Sequence, residues 1–170
     1  HDARRFARTG KLGELVPLET QNRRRWDQAK ISEGVRILET VLPKRHLGPD
    51  QLQAAISAVH AQSPSWRETD WPQIEALYSL LYAVQPSPVV RMNQAVAVSY
   101  ARSPQAALAM LDEAATGGVL DAYQPYFAAR ADMLARAGRT QDARKCFNTA
   151  IDLSDNGQEK AFLHDKIAHL

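Results

Sequence analysis

Apolar residues along this chain recur at intervals of three and four, and prolines and glycines interrupt them. That pattern predicts helices joined by short turns. The helical period begins at Asn22, a capping residue, and continues through Trp26, Ala29, Ile31, Val35, Ile37, Leu38 and Val41 to a stop at Pro43. Gly48-Pro49-Asp50 opens a second helix with Leu52, Ala55, Ile56 and Val59 inward, and Pro64 ends it. Asp70 caps a third, with Trp71 and Pro72 in its first turn and Ile74, Leu77, Tyr78, Leu81 and Val84 on one face. Pro86-Ser87-Pro88 breaks it. A fourth helix covers about Val89 to Tyr100, and Ala95-Val96-Ala97-Val98 is apolar all round, which marks a central helix. Ser103-Pro104 starts a fifth with Ala107, Met110 and Leu111 inward, ended by Gly117-Gly118. The sixth runs from about Gln124 to Ala137 and stops at Gly138. Thr140 is the expected cap of the seventh, with Ala143, Phe147, Ala150 and Ile151 inward, and Asn156 opens a last helix towards Leu170. No segment alternates as a strand does. The prediction is all-α, about eight helices, with no sheet.

The helices repeat. Ala143, Phe147 and Ala150 of the seventh stand 36 residues after Ala107, Leu111 and Ala114 of the fifth, and Ala131 follows Ala95 at the same offset. Ala76, Leu80, Ala83 and Pro88 offer a weaker copy in the third. Small residues at a close crossing, repeated at this length, are the physics of a helical solenoid. The expected organisation is an N-terminal arm or linker over 1–21 and a helical-repeat domain over 22–170. Within the latter, repeat-like pairs fall at about 50–88, 89–118 and 122–155, and a capping helix at 156–170. The apolar run Leu15-Val16-Pro17-Leu18 in that arm is extended rather than a helix interior because Pro17 interrupts it. A tail packed on the next element and a linker to further sequence both remain open for it.

Composition narrows the function. Hydrophobic residues are 45% and charged residues 24%, so the chain is globular rather than disordered. A single cysteine excludes an internal disulfide scaffold and a cysteine-rich zinc site. No apolar run is long enough for a membrane span, no signal-peptide core follows His1-Asp2-Ala3-Arg4-Arg5, and a cytoplasmic location is expected. The missing initiator Met points to a fragment of something longer. Net charge is only +2: residues 1–50 hold 11 Lys/Arg against 7 Asp/Glu, and the remainder holds 10 against 12. That is too weak for a dedicated nucleic-acid binder, and no direct DNA binding is expected.

No nucleophile motif or phosphate-cradling loop is present, so no catalytic residue, cofactor or metal is assigned and the chain is read as non-enzymatic. The histidines are scattered, and Asp165 with His169 near a terminus makes a poor metal site. Cys146 reads as a small half-buried apolar residue and His60 as a structural histidine donating to a turn carbonyl. Arg23-Arg24-Arg25 is the one charge run, in a first helical turn where cations oppose the dipole. It is either a solvated face or a contact with an acidic surface. Trp26 and Trp71 read as core residues, whereas Trp66 lies in a loop and is the better candidate for a partner contact. Asn93 is polar within the most apolar helix, where a buried amide is expected to hydrogen-bond an adjacent turn unless it faces a groove, and Asp132 and Arg136 stand at i, i+4 on the equivalent face, as a surface ion pair or as groove lining.

Phe127, Ala131, Leu134, Gly138, Ala143, Phe147 and Ala150-Ile151 resemble a tetratricopeptide repeat, with Arg130 and Asp155 departing from that pattern. The resemblance implies a groove into which Asn93 faces to hold a ligand backbone. A broader resemblance spans almost the whole chain: Gly13-Glu14-Leu15-Val16, Trp26-Asp27, Gly48-Pro49, Gln51-Leu52-Gln53-Ala54-Ala55-Ile56, Thr69-Asp70-Trp71, Pro86-Ser87-Pro88-Val89-Val90, Asn93 and Ala129-Arg130-Ala131-Asp132-Met133-Leu134. In this order they resemble the tetratricopeptide-like C-terminal extension of bacterial extracytoplasmic-function RNA polymerase sigma factors, with departures at Asp50, Met92 and Gln94. The resemblance implies a regulatory domain that controls transcription initiation through protein contacts. Its partners would be the sigma factor's own N-terminal regions, core RNA polymerase or another signalling protein, with promoter and polymerase binding in regions absent here. The alternative is a stand-alone helical-repeat adaptor or small-molecule sensor, with a pocket near Asn93, Tyr100 and Tyr126.

Overall fold

A computed structural model describes residues 2–10, 13–41 and 48–170. The expectations at His1, Lys11, Leu12 and His46, the stop at Pro43 and the side chain of Val41 lie outside the described residues. The fold is all-α. The helices are α1 (Gln28–Val41), α2 (Pro49–Gln62), α3 (Trp71–Val84), α4 (Pro88–Ala101), α5 (Pro104–Ala114), α6 (Gln124–Arg136), α7 (Thr140–Leu153) and α8 (Gly157–Ala168), with 3-10 turns at Asp2–Ala7 and Arg23–Arg25. Among the described residues the only β pairing is an isolated antiparallel bridge between Thr9 and Leu15. The chain divides into two compact units, His1–Gln85 and Pro86–Leu170.

Local chemistry sets the helix ends. Asp70 Oδ1 accepts from the Gln73 amide (2.9 Å) and Ser87 Oγ from Val90 (3.1 Å). Ser103 Oγ accepts from Ala106 (3.2 Å) and Asn156 Oδ1 from Gln158 (2.9 Å). Each cap satisfies an amide that the first turn leaves orphaned, worth about 1 kcal/mol. Proline follows within two residues at α3, α4 and α5, where its missing N–H costs nothing. Gly138 (φ 77°) ends α6 in the left-handed region, so that the Arg139 amide reaches back to Leu134 O (2.8 Å).

In the second unit successive helices pair, α4 with α5 and α6 with α7, and α8 closes on α7. Ala95, Ala107, Ala131, Ala143 and Ala150 are all at 0% exposure. These are the repeated positions, and a larger side chain there would hold the helix axes apart. Leu111 and Leu134 fill the space beyond the crossings, and full burial of each contributes about 2 kcal/mol. Leu163 of α8 completes a cluster with Phe147, Ala150 and Ile151, so α8 covers the apolar face of α7. Two departures from the sigma-factor pattern settle into this unit: Met92 is buried, and buried Gln94 accepts from Arg91 (3.0 Å).

The first unit corrects several expectations. Asn22 caps the 3-10 turn, through Arg24 N–H to Oδ1 (3.0 Å), and not α1. Trp26 is extended (ψ 144°) and buried at the break, and Asp27 Oδ1 accepts the Lys30 amide (3.1 Å) to start α1. Packing of the indole overrides the continuous helix. The stripe of α1 is also narrower than predicted: Ile31, Val35 and Leu38 are half-buried, whereas Ala29 and Ile37 are exposed. On α2 all four inward residues are buried. On α3 the buried face is Trp71, Ile74 and Leu81, while Val84 is exposed. The weaker repeat copy fails there, because Ala76, Leu80 and Ala83 point away from that face and are exposed. In the second unit, Arg139 and not Thr140 occupies the cap of α7.

Ala143→Leu is expected to lower the stability of the second unit by about 1–3 kcal/mol, because the crossing has no room for three more carbons. Ala109→Leu, on the exposed face of α5, should change it by less than about 0.5 kcal/mol. Thermal melts followed by far-UV circular dichroism compare the two.

Candidate functional site

In the second unit a line of polar side chains crosses α4, α6 and α8. Arg136 lies on α6 one turn beyond Asp132, and the two ion-pair at 3.6 Å. The guanidinium also reaches α4, donating from Nη1 to Ser99 Oγ (3.0 Å) and from Nη2 to Ser99 O. Its central carbon lies over the Tyr100 ring, 4.0 Å from the centroid. On the other side Asp132 meets Lys166 of α8 at 3.7 Å, and Lys166 lies 5.6 Å from the Phe162 ring. Arg136, Asp132 and Lys166 expose 30%, 32% and 34% of their side chains, so the line is half-buried rather than surface decoration. Asp132 and Arg136 are therefore both an ion pair and part of a longer network that ties three helices.

Asn93 stands on α4 at i, i+3, i+7 with Val96 and Tyr100, which places it on the same side of the helix as the tyrosine. It is half-buried, and among the described residues its amide has no side-chain hydrogen bond. An amide at the edge of such a strip with its donors and acceptor unspent has capacity for a ligand backbone. Tyr126 has other company: it is buried in the core, edge to face with Phe127 (5.0 Å), and its hydroxyl meets Arg130 Nη1 (3.4 Å). Arg130, the departure from the repeat pattern, also pairs with Asp112 of α5. Its charge is satisfied between the two helix pairs.

In the first unit the charge run splits. Arg23 is only 9% exposed. Its Nη1 donates to the carbonyls of His60 and Ser63 (2.7 Å to Ser63), and its Nη2 meets Thr69 Oγ1 (3.4 Å). It thus caps the C-terminal carbonyls of α2, where a cation is favoured by the dipole. Arg24 and Arg25 are exposed. Trp66 is half-buried rather than free in its loop: its ring stacks on His60 (6.0 Å) and meets Trp71 edge-on (4.6 Å). His60 differs from its expected role. Its backbone carbonyl is the acceptor for Arg23, while its buried Nδ1 has no hydrogen-bond partner. Burial, then the charges of Arg23 and Arg4, push the His60 pKa down to about 4.

Burial pushes the Cys146 thiol above its usual range, which disfavours the thiolate. Among the described residues no group of three His, Cys, Asp or Glu side chains could hold a metal ion, and no helix is long and apolar enough to cross a membrane. Ser99 and Lys166 were missed by the sequence reading. The repeat offset carries Tyr100 onto Arg136, which marks Ser99 as its neighbour, but nothing in the spacing singles out Lys166.

Arg23→Ala is expected to destabilise the first unit by about 2–4 kcal/mol, since it strands two helix-end carbonyls, whereas Arg24→Ala should stay within about 0.5 kcal/mol. Trp26, Trp66 and Trp71 all lie in that unit, so denaturant titrations read by tryptophan fluorescence isolate it. The same signal tests His60. Its folded pKa lies below the unfolded value, so its contribution is full above about pH 6.5 and is lost as the pH falls through 4. Between pH 7 and 4 the parent should lose up to about 3 kcal/mol more than His60→Gln.

Residues 1–42 match a family model described as a family of unknown function (DUF6596). Over 168 residues the chain is 40% identical to an uncharacterized protein of Rhizobium meliloti (strain 1021). The match takes in 99% of this chain and 39% of that protein, so the chain spans about two fifths of the length of the curated relative it matches. No solved structure matches.

Proposed function

We propose that this chain is a non-enzymatic regulatory domain of an extracytoplasmic-function RNA polymerase sigma factor, acting on transcription initiation through protein contacts. The observation that carries the reading is the half-buried polar strip of α4, α6 and α8, with Asn93 at its edge. It is a recognition surface without a reactive constellation. Two further observations support the setting. The matched family is a domain found in sigma-factor-like proteins, and the relative continues well beyond the aligned part.

In this reading an extended peptide segment of the sigma regions, of polymerase or of a signalling protein lies along the strip. The Asn93 amide holds its backbone, while Arg136 and Asp132 keep the three helices in register. Docking changes the population of polymerase-competent sigma factor by the difference in affinity between its two states.

Asn93→Ala in the full-length protein tests it. The substitution removes a half-buried amide without a partner, so stability should move by less than about 0.5 kcal/mol. Output from a target promoter fused to a reporter is expected to change, and deletion of the whole domain should change it further, while the promoter selected stays the same. Unchanged output in the deletion sinks the regulatory reading. Unchanged output in Asn93→Ala alone removes only the strip.

A further inference from the structure

The two 3-10 turns of the first unit pack against each other, and the Asp27 amide donates to Ala3 O (2.9 Å) between them. Their exposed side chains are therefore close in space. They are Asp2, Arg5, Phe6 and Arg8 from the first turn and its exit, and Arg24 and Arg25 from the second. Phe6 is 73% exposed, the highest value among the exposed large apolar residues that are described. Beneath this surface lie two more guanidiniums, Arg4 and Arg23, whose central carbons are 5.7 and 4.9 Å from the same Trp26 ring. Cations that share one indole repel each other. Burial and then the Arg4 charge lower the Arg23 pKa, and burial and then Arg8 lower that of Arg4. Among the described residues Arg5, Arg24 and Arg25 make no ion pair, and the nearby Asp2 is taken by Lys30.

We propose that this surface docks an acidic, partly apolar segment of a partner protein, with Arg5, Arg24 and Arg25 pairing its carboxylates and Phe6 as the apolar anchor. Charge complementarity selects the occupant. The surface has an excess of positive charge concentrated on two short turns, and an acidic segment both pairs the exposed guanidiniums and relieves the crowding below them. An aromatic ring among arginines is also the make-up of the energetic centre of protein interfaces. A nucleic-acid backbone fits less well. A sugar–phosphate backbone offers no apolar group to Phe6, and the exposed guanidiniums of two short turns neutralise few of its phosphates. The proposal does not rest on the sigma-factor reading or on the strip in the second unit.

Fluorescence anisotropy with the intact chain tests it, using as probes a labelled synthetic peptide of alternating glutamate pairs and leucines, a polyglutamate peptide and a short DNA duplex. The glutamate–leucine peptide is expected to bind more tightly than polyglutamate and than the duplex, and to weaken with added salt. R24A/R25A should weaken it by about tenfold and Phe6→Ala by several-fold, with far-UV circular dichroism unchanged because all three side chains are exposed. Binding of the duplex equal to or tighter than the peptide overturns the proposal in favour of a phosphate ligand. Absence of peptide binding overturns it, as does peptide binding that neither set of substitutions weakens.

Discussion

Helix axes in the second unit come together only where the side chains between them stop at Cβ. Ala95, Ala107, Ala131, Ala143 and Ala150 supply that condition at each crossing, and all are fully buried. The larger groups sit around the crossings rather than in them, with Leu111 in the main cluster and Phe147 in the one that α8 closes. The polar strip depends on this. Arg136 reaches Ser99 and Tyr100 on α4 only because α4 and α6 lie side by side, and Asp132 reaches Lys166 only because α8 is folded back on α7. A methylene added at a crossing would therefore disturb both core density and the register of the strip.

The first unit solves a different problem by different means. Its N-terminal segments are short turns with few apolar side chains, and they cannot be held by a solenoid of alanines. A buried guanidinium holds them instead, spanning the His60 and Ser63 carbonyls and the Thr69 hydroxyl. Burying a charge is costly unless its hydrogen bonds are made, and here the acceptors are the end of α2, where partial negative charge already accumulates. The Trp26 indole accepts the face of the same guanidinium, and His60 beside it stays neutral. Substituting lysine for Arg23 would keep the charge and lose the fork that reaches two carbonyls at once.

Helix period told the sequence reader a great deal where both sides of a helix have neighbours. The inward sets of α2 and α7 are buried to the last residue, and the alanine repeat of α5 and α7 marks the real crossings. It failed where a face has no neighbour: the Ala76, Leu80, Ala83 copy has the right spacing, but α3 buries its Trp71, Ile74, Leu81 side instead. Periodicity reports that a stripe exists and not which stripe is covered. The break at Trp26 was hidden for a related reason, since nothing in the spacing signals that an indole will be pulled inward ahead of α1. For the candidate site, Asp132 and Arg136 were legible as an i, i+4 pair. Ser99 and Lys166 were not, because they join through tertiary contacts between helices far apart in the chain.

The arginines show why a charge run cannot be read as a unit. Arg23 and its neighbours Arg24 and Arg25 are identical in sequence chemistry, yet one is committed to backbone carbonyls and the others face solvent. Arg136 is committed too, to Ser99, Tyr100 and Asp132, and a partner that recruited it would first have to break those contacts. A committed guanidinium shapes a surface, whereas an uncommitted one can be matched by a partner at the cost of its own hydration alone. On that criterion Arg136 positions the strip, and in the proposed reading Asn93 offers the contact. The same criterion assigns Arg23 to structure, whereas Arg5, Arg24 and Arg25 on the two packed turns make no ion pair among the described residues.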